Sequence, residues 1–78
     1  MTPKVIINPA AGQGTGRKVW PDMEERLRAV LGEIDVSVTT RAGEETALAR
    51  QALAGGANHF IAVGGDGTMN GVLNGIMG

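Results

Sequence analysis

The sequence has no cysteine, no tyrosine and only two aromatic residues, Trp20 and Phe60. The absence of cysteine excludes disulfide cross-links and thiolate metal sites, which is compatible with the cytosol. The scarcity of aromatic rings leaves a hydrophobic core to be built from Val, Ile, Leu, Ala and Met. Positive charge is not in excess either, since the formal net charge is −1. This balance argues against nucleic acid as a partner.

Long apolar runs are also missing. No segment approaches the ~20 consecutive apolar residues that a membrane-spanning helix needs, and the N-terminal residues lack the pattern of a signal peptide. We therefore expect a cytoplasmic protein. With 78 residues the chain makes one domain at most, and a chain of this size buries only about 60% of its unfolded surface.

The order of apolar runs and helical patterns predicts alternating strands and helices, βαβαβα. Strands are predicted at residues 4–8, 34–40 and 60–63, and helices at residues 18–31, 44–53 and 68–77. The first helix could begin as late as Pro21, because proline is tolerated in a first turn. The first strand should be buried on both faces, and the second should lie nearer an edge. Strands joined by helices imply right-handed crossovers, so we expect a three-layer α/β fold: a parallel sheet with helices on both faces.

Thirteen glycines are present, and many of them fall in the loops that follow the predicted strands. These loops cover residues 9–17, 39–43 and 64–68. Ligands of open parallel α/β sheets bind at the carboxyl ends of the strands, where all three loops should meet. We expect the functional site at this edge of the sheet.

The third of these loops reads Gly64-Gly65-Asp66-Gly67-Thr68. Glycines let an anion approach the backbone, and Thr68 could cap a helix whose N-terminus favours phosphate. Asp66 would repel a phosphate unless a cation or a hydroxyl group lies between them, which suggests Mg²⁺, water or a ligand hydroxyl. The alternative is an Asp-Gly turn followed by a helix cap, with no ligand.

The other two loops carry weaker signals. The first contains Gly12, Gly14 and Gly16 but matches neither the P-loop nor the dinucleotide-binding fingerprint, so it is an anion cradle or a mobile loop. Asn8 before it could orient the loop or only cap a turn. Thr40, after the second strand, is a ligand contact or simply a good strand residue.

Three segments together resemble the diacylglycerol kinase catalytic-domain family, which includes sphingosine kinases and bacterial lipid kinases. They are "IINPAAGQGTG", "VTTRAGEETALARQALAGGAN" and "FIAVGGDGTMNGVLNG". The Gly-Gly-Asp-Gly-Thr segment alone is shared with NAD kinases and is similar to a phosphofructokinase loop. The Asn-Pro-x-x-Gly-x-Gly start favours the lipid-kinase branch.

The resemblance implies ATP- and Mg²⁺-dependent phosphorylation of a lipid hydroxyl, such as that of diacylglycerol, at a membrane surface that the enzyme contacts peripherally. It implies nucleotide binding by Asn8, Gly12, Gly14, Thr40, Gly64, Gly65, Asp66, Gly67, Thr68, Met69 and Asn70, with Asp66 positioning nucleotide or metal. The metal ligands themselves are not assigned. The family usually has glutamate where this chain has Gly71, so Gly71→Glu is expected to stabilise the third helix.

The resemblance also implies that residues 1–78 are the N-terminal part of a nucleotide-binding domain. The family's C-terminal domain, with the lipid site and the main catalytic carboxylate, is absent, so we expect this chain alone to be inactive. Two alternatives remain open at this point. One is a fragment of an NAD-kinase-like or sugar-phosphate kinase, and the other is a non-catalytic module that persists as a homo-oligomer.

Overall fold

The computed structural model describes residues 2–41 and 43–77, so residue 42 of the predicted loop 39–43 lies outside the described residues. Strands β1 (Lys4–Ile7), β2 (Asp35–Val38) and β3 (Phe60–Val63) alternate with helices α1 (Thr15–Leu31), α2 (Glu44–Ala54) and α3 (Asp66–Met77). The three strands form one sheet in the order β2-β1-β3, and both pairings are parallel. The predicted α/β fold and its element order are confirmed.

The central strand β1 forms the middle of the core. Val5, Ile6 and Ile7 are each 0% exposed, as predicted for a strand buried on both faces. The second strand lies at an edge, also as predicted. The apolar strand β3 is an edge strand too, so Ala62 is exposed and the rest of β3 is only partly buried.

Helices cover both faces of the sheet. On one face Ile6 packs with Ala49 of α2 and Val72 of α3 in a buried cluster. Successive strand residues point to opposite faces, so Val5 and Ile7 point to the other. The β1–α1–β2 crossover runs across the sheet in the opposite direction to the β2–α2–β3 crossover. Right-handed connections therefore place α1 over Val5 and Ile7.

Helix α1 starts earlier than the predicted Lys18, at Thr15. The reason is that carbonyl groups of the preceding loop accept hydrogen bonds from its first amides, for example Arg17 N–H to Pro9 O at 2.9 Å. Pro21 therefore lies inside the helix instead of in its first turn, where it removes one backbone hydrogen bond. None of the described helices has the length and apolar character that a membrane crossing requires.

Helices α2 and α3 cross at very short range through two glycines. A Cβ added at Gly75 would lie 2.7 Å from Ala49 Cβ and would overlap the carbonyl oxygen of Thr46. One turn earlier, the Thr46 hydroxyl donates to the carbonyl oxygen of Gly71 at 2.8 Å. Because Gly71 and Gly75 have no side chain, the two helices can approach each other this closely.

Candidate functional site

The loops that follow β1 and β3 begin side by side at the carboxyl edge of the sheet. Ile7 pairs with Val63 at the ends of these strands, and Asn8 N–H donates to Val63 O at 2.9 Å. We call residues 8–14 the first glycine loop and residues 64–67 the second glycine loop. The parallel pairing therefore brings together the two glycine-rich segments that the sequence singles out.

The first glycine loop is braced by its own hydrogen bonds. Asn8 Oδ1 accepts the N–H of Ala10 at 3.0 Å, so the asparagine side chain orients the loop. Gly12, Gln13 and Gly14 follow with φ angles of 63°, 59° and 93°. These left-handed values suit glycine and are uncommon for other residues. The loop thereby turns sharply enough to lead directly into α1.

Several backbone amides in the two loops have no acceptor among the described residues. They are those of Gly12 and Gln13 in the first glycine loop and those of residues 64–67 in the second. The next amides, of Thr68 and Met69, bond to Gly65 O at 3.1 and 3.2 Å. Unpaired amides at the start of a helix, where the helix dipole is positive, favour an anion such as phosphate.

Thr68 packs directly against the start of the second glycine loop. A Cβ at Gly64 would lie 2.8 Å from Thr68 Cβ and would overlap its hydroxyl oxygen, so this close approach requires glycine. Thr68 is 3% exposed. It is not the helix cap that the sequence suggested, because α3 already begins at Asp66 and Thr68 lies within its first turn.

A cleft of about 340 Å³ lies between the two glycine loops and the first turn of α2. We call it the loop cleft. Its polar and backbone lining includes Asn8, Gly12, Gly65, Gly67, Thr68 and Glu45. Five of these six residues were predicted to bind nucleotide, and the structure brings them together.

Glu45 is the member of the loop cleft that sequence reasoning missed. Its side chain is on α2 and the residue is 6% exposed. Its burial was readable in principle, because the apolar residue Ala49 lies four residues later on the same helical face.

Four predicted residues of the third loop and α3 do not line the loop cleft: Gly64, Asp66, Met69 and Asn70. Asp66 is exposed, and it occupies the first position of α3, where a carboxylate interacts favourably with the helix dipole. Met69 is 51% exposed, and Asn70 is exposed as well. Their roles in nucleotide binding remain predictions.

Thr40 also lies outside the loop cleft. Its N–H and its hydroxyl both donate to the carboxylate of Glu44, at 2.9 and 3.2 Å. It lines a second cleft of about 380 Å³ together with Arg17, Arg41 and Asn8. Asn8 lines both clefts, so a ligand in contact with both Thr40 and the glycine loops would extend across Asn8.

Comparison with known proteins gives a consistent result. Residues 2–78 match the family model of the diacylglycerol kinase catalytic domain. Diacylglycerol kinases of Staphylococcus haemolyticus and Staphylococcus epidermidis are 37% identical over 73 residues, which is 94% of this chain. A solved Bacillus anthracis structure assigned as a diacylglycerol kinase superposes with a TM-score of 0.81 at 28% identity, over 95% of this chain.

The matches cover much less of the relatives themselves. The aligned segment is 22% of the Staphylococcus haemolyticus protein, 23% of the Staphylococcus epidermidis protein and 26% of the Bacillus anthracis chain. The chain therefore spans about a quarter of the length of these relatives.

Proposed function

The chain belongs to the diacylglycerol kinase catalytic-domain family, and we propose that it is the nucleotide-binding segment of an ATP-dependent lipid kinase. The proposed reaction transfers the γ-phosphoryl group of ATP to a lipid hydroxyl, such as that of diacylglycerol. One observation carries the proposal: at the carboxyl edge of a parallel sheet, two adjacent loops hold backbone amides that have no acceptor in the part of the chain that the structure describes. This is where α/β folds bind nucleotides.

In this proposal the two glycine loops hold the phosphates of the nucleotide. Amides of residues 64–67 donate to phosphate oxygens at the N-terminus of α3, and those of Gly12 and Gln13 approach from the first glycine loop. Phosphoryl transfer depends mainly on positioning and on stabilising the charge of the transferred group. The lipid oxygen attacks the γ-phosphorus, and the bond from this phosphorus to the β-phosphate oxygen breaks to release ADP. The hydroxyl proton would pass to the main catalytic carboxylate, which in this proposal lies outside the chain.

The residues present are compatible with Mg²⁺. Among the described residues no lysine or arginine lines the loop cleft, yet the cleft contains the carboxylate of the largely buried Glu45, and Asp66 lies at the start of the adjoining helix. The described residues contain no cluster of three or more acidic or histidine side chains. Mg²⁺ commonly binds one or two carboxylates and completes its shell with substrate phosphates and water. When bound, it would neutralise part of the phosphate charge.

We further propose that residues 1–78 supply the nucleotide half of the site only. The lipid pocket and the main catalytic carboxylate would belong to segments outside this chain, and the complete enzyme would meet its lipid at a membrane surface. The isolated chain would then bind nucleotide without turning it over.

An NMR titration of the chain with ADP and Mg²⁺ tests nucleotide binding. The amide signals of residues 64–70 should shift most, followed by those of residues 12–16 and Thr40. Signals of His59 and residues 24–28 should stay unchanged. The affinity should be on the order of millimolar, or about −4 kcal/mol. Shifts confined to the helix surfaces, with none in residues 64–68, would contradict the proposal.

Asp66→Asn in the complete enzyme tests the role of the exposed carboxylate. The substitution keeps the shape of the side chain and removes its charge, so we expect most phosphorylation of diacylglycerol to be lost without loss of folded structure. Turnover in mixed micelles, together with circular dichroism, measures both. Normal turnover would show that Asp66 serves only the turn and the helix start.

A further inference from the structure

We propose that Glu45 makes nucleotide binding in the loop cleft depend on a divalent cation, as a ligand of that cation either directly or through water. The inference rests on the proposed function, because the cation would arrive with the phosphates of the nucleotide. It assigns to α2 a role that neither the glycine loops nor Asp66 can fill.

The first observation is that Glu45 lines the loop cleft from a largely buried position, where its carboxylate oxygens keep some contact with solvent. The residue is 6% exposed, and its carboxylate makes no hydrogen bond or ion pair within residues 2–41 and 43–77. The preceding residue, Glu44, differs sharply. Its carboxylate accepts hydrogen bonds from Thr40 and lies 3.8 Å from the guanidinium of Arg41. The Thr40 hydroxyl and the Arg41 guanidinium thus interact with Glu44.

The second observation is the charge of the surroundings. Apart from Glu45, the loop cleft is lined by neutral groups, chiefly glycines, alanine, Asn8 and Thr68. Little of Glu45 is exposed, so water screens its charge less than it would screen the charge of an exposed side chain. The described lining offers no cation, so a positive charge that balances this carboxylate would come from solution.

The two observations predict a linkage between metal and nucleotide. A metal-free phosphate in the loop cleft brings a second negative charge beside Glu45, which weakens its binding. A phosphate that carries Mg²⁺ presents the missing positive charge, and a carboxylate oxygen is a preferred ligand of that ion. Glu45 should therefore oppose free nucleotide and favour its magnesium complex.

Gly71 allows Glu45 to occupy this position. A Cβ at residue 71 would lie 3.0 Å from Glu45 Cβ, which is closer than side-chain carbons normally approach.

Asp66 is a weaker candidate for the same role, because it is exposed to solvent and does not line the loop cleft. Water screens a charge in such a position.

The experiment compares ADP affinity with and without Mg²⁺ in three forms of the chain: wild type, Glu45→Gln and Glu25→Gln. Glutamine keeps the size of the side chain and removes its charge. Glu25→Gln makes the same charge change on an exposed surface of α1. Affinity is read from the amide shifts of residues 64–68, with excess EDTA for the metal-free arm.

In wild type and in Glu25→Gln, Mg²⁺ should tighten ADP binding by about tenfold, within the usual range of coupling between two ligands. In Glu45→Gln, metal-free ADP should bind more tightly than in wild type, and Mg²⁺ should add little. An equal Mg²⁺ enhancement in all three forms would overturn the role of Glu45 and leave nucleotide binding intact. Failure of ADP to shift the loop amides in any form would instead overturn the proposed function.

Gly71→Ala provides a second route to the same answer if Glu45→Gln does not fold. The added methyl group should displace Glu45 while its charge is kept, so the Mg²⁺ enhancement should fall below that of wild type. An unchanged enhancement in a folded Gly71→Ala variant would count against the inference.

Discussion

The two faces of the sheet differ in how closely their helices pack. On one face α2 and α3 both contribute buried residues. The two helices are in direct contact at Gly75, where no space remains for a methyl group. On the other face α1 has no buried residue in the described part of the chain, although it is the longest helix. Its Val30 is 82% exposed.

This difference in packing between the two faces of the sheet affects the candidate site. The first turn of α3 carries the amides of the second glycine loop, and the first turn of α2 carries Glu45. The distance between these two turns is set by the close contact of the helices at Gly71 and Gly75. The tightly packed face therefore fixes the geometry of the loop cleft, and α1 contributes mainly by anchoring the first glycine loop.

Gly75→Ala should have the largest effect on the free energy of unfolding. The new Cβ would lie 2.7 Å from Ala49 Cβ and 3.1 Å from Arg50 N, and it would overlap a backbone oxygen that no rotamer change can move. Overpacking of this kind costs about 1–3 kcal/mol or more. Urea denaturation should show the loss, and the variant should also lose the ADP-induced shifts.

Gly67→Ala is the matched control on the same helix. Apart from its chain neighbours and the backbone of its own helix, no atom lies within 4 Å of a Cβ built there. Replacing a helical glycine by alanine should be neutral or should stabilise by up to about 1 kcal/mol. Equal destabilisation by the two substitutions would show that the helix crossing does not set the difference between the faces.

Gly71→Glu should lower the free energy of unfolding by an intermediate amount. The sequence alone predicts the opposite, a stabilised third helix. Helix propensity favours glutamate over glycine, but the structure places the new side chain against Glu45, with 3.0 Å between the two Cβ positions. Crowding and like-charge repulsion should lower stability by about 1–2 kcal/mol.

The double variant Glu45→Ala/Gly71→Glu separates the effect of the contact with Glu45 from the effect of helix propensity. Removing the Glu45 side chain should recover most of the loss, giving a coupling energy of about 0.5–3 kcal/mol between the two positions. Thermal melts of both single variants and the double variant complete the cycle. A higher melting temperature for Gly71→Glu alone would show that propensity outweighs the contact with Glu45.

Local patterns predicted the parts of the fold and site that depend on local chemistry. The β-branched run at Val5–Ile7 and the glycine-rich loops were readable because strand propensity, periodicity and turn preferences act over a few residues. The burial of Glu45 and the need for glycine at position 75 depend on how closely α2 approaches α3. That distance results from tertiary packing, which a single sequence does not display. The early start of α1 likewise depends on loop carbonyls that only the folded turn brings into place.

Val30→Ala should have the smallest effect and tests the loosely packed face. Because Val30 is 82% exposed, truncating it removes little buried apolar surface, and we expect a loss below about 0.5 kcal/mol. Val72→Ala makes the same chemical change at a residue that is 4% exposed, and there we expect about 2 kcal/mol from lost burial and an unfilled cavity. Urea denaturation of both variants therefore compares the two faces of the sheet with the same valine-to-alanine change. Similar losses at the two positions would mean that α1 is packed as closely as α3, and the difference in packing would then not explain why the loop cleft lies on the side of α2 and α3.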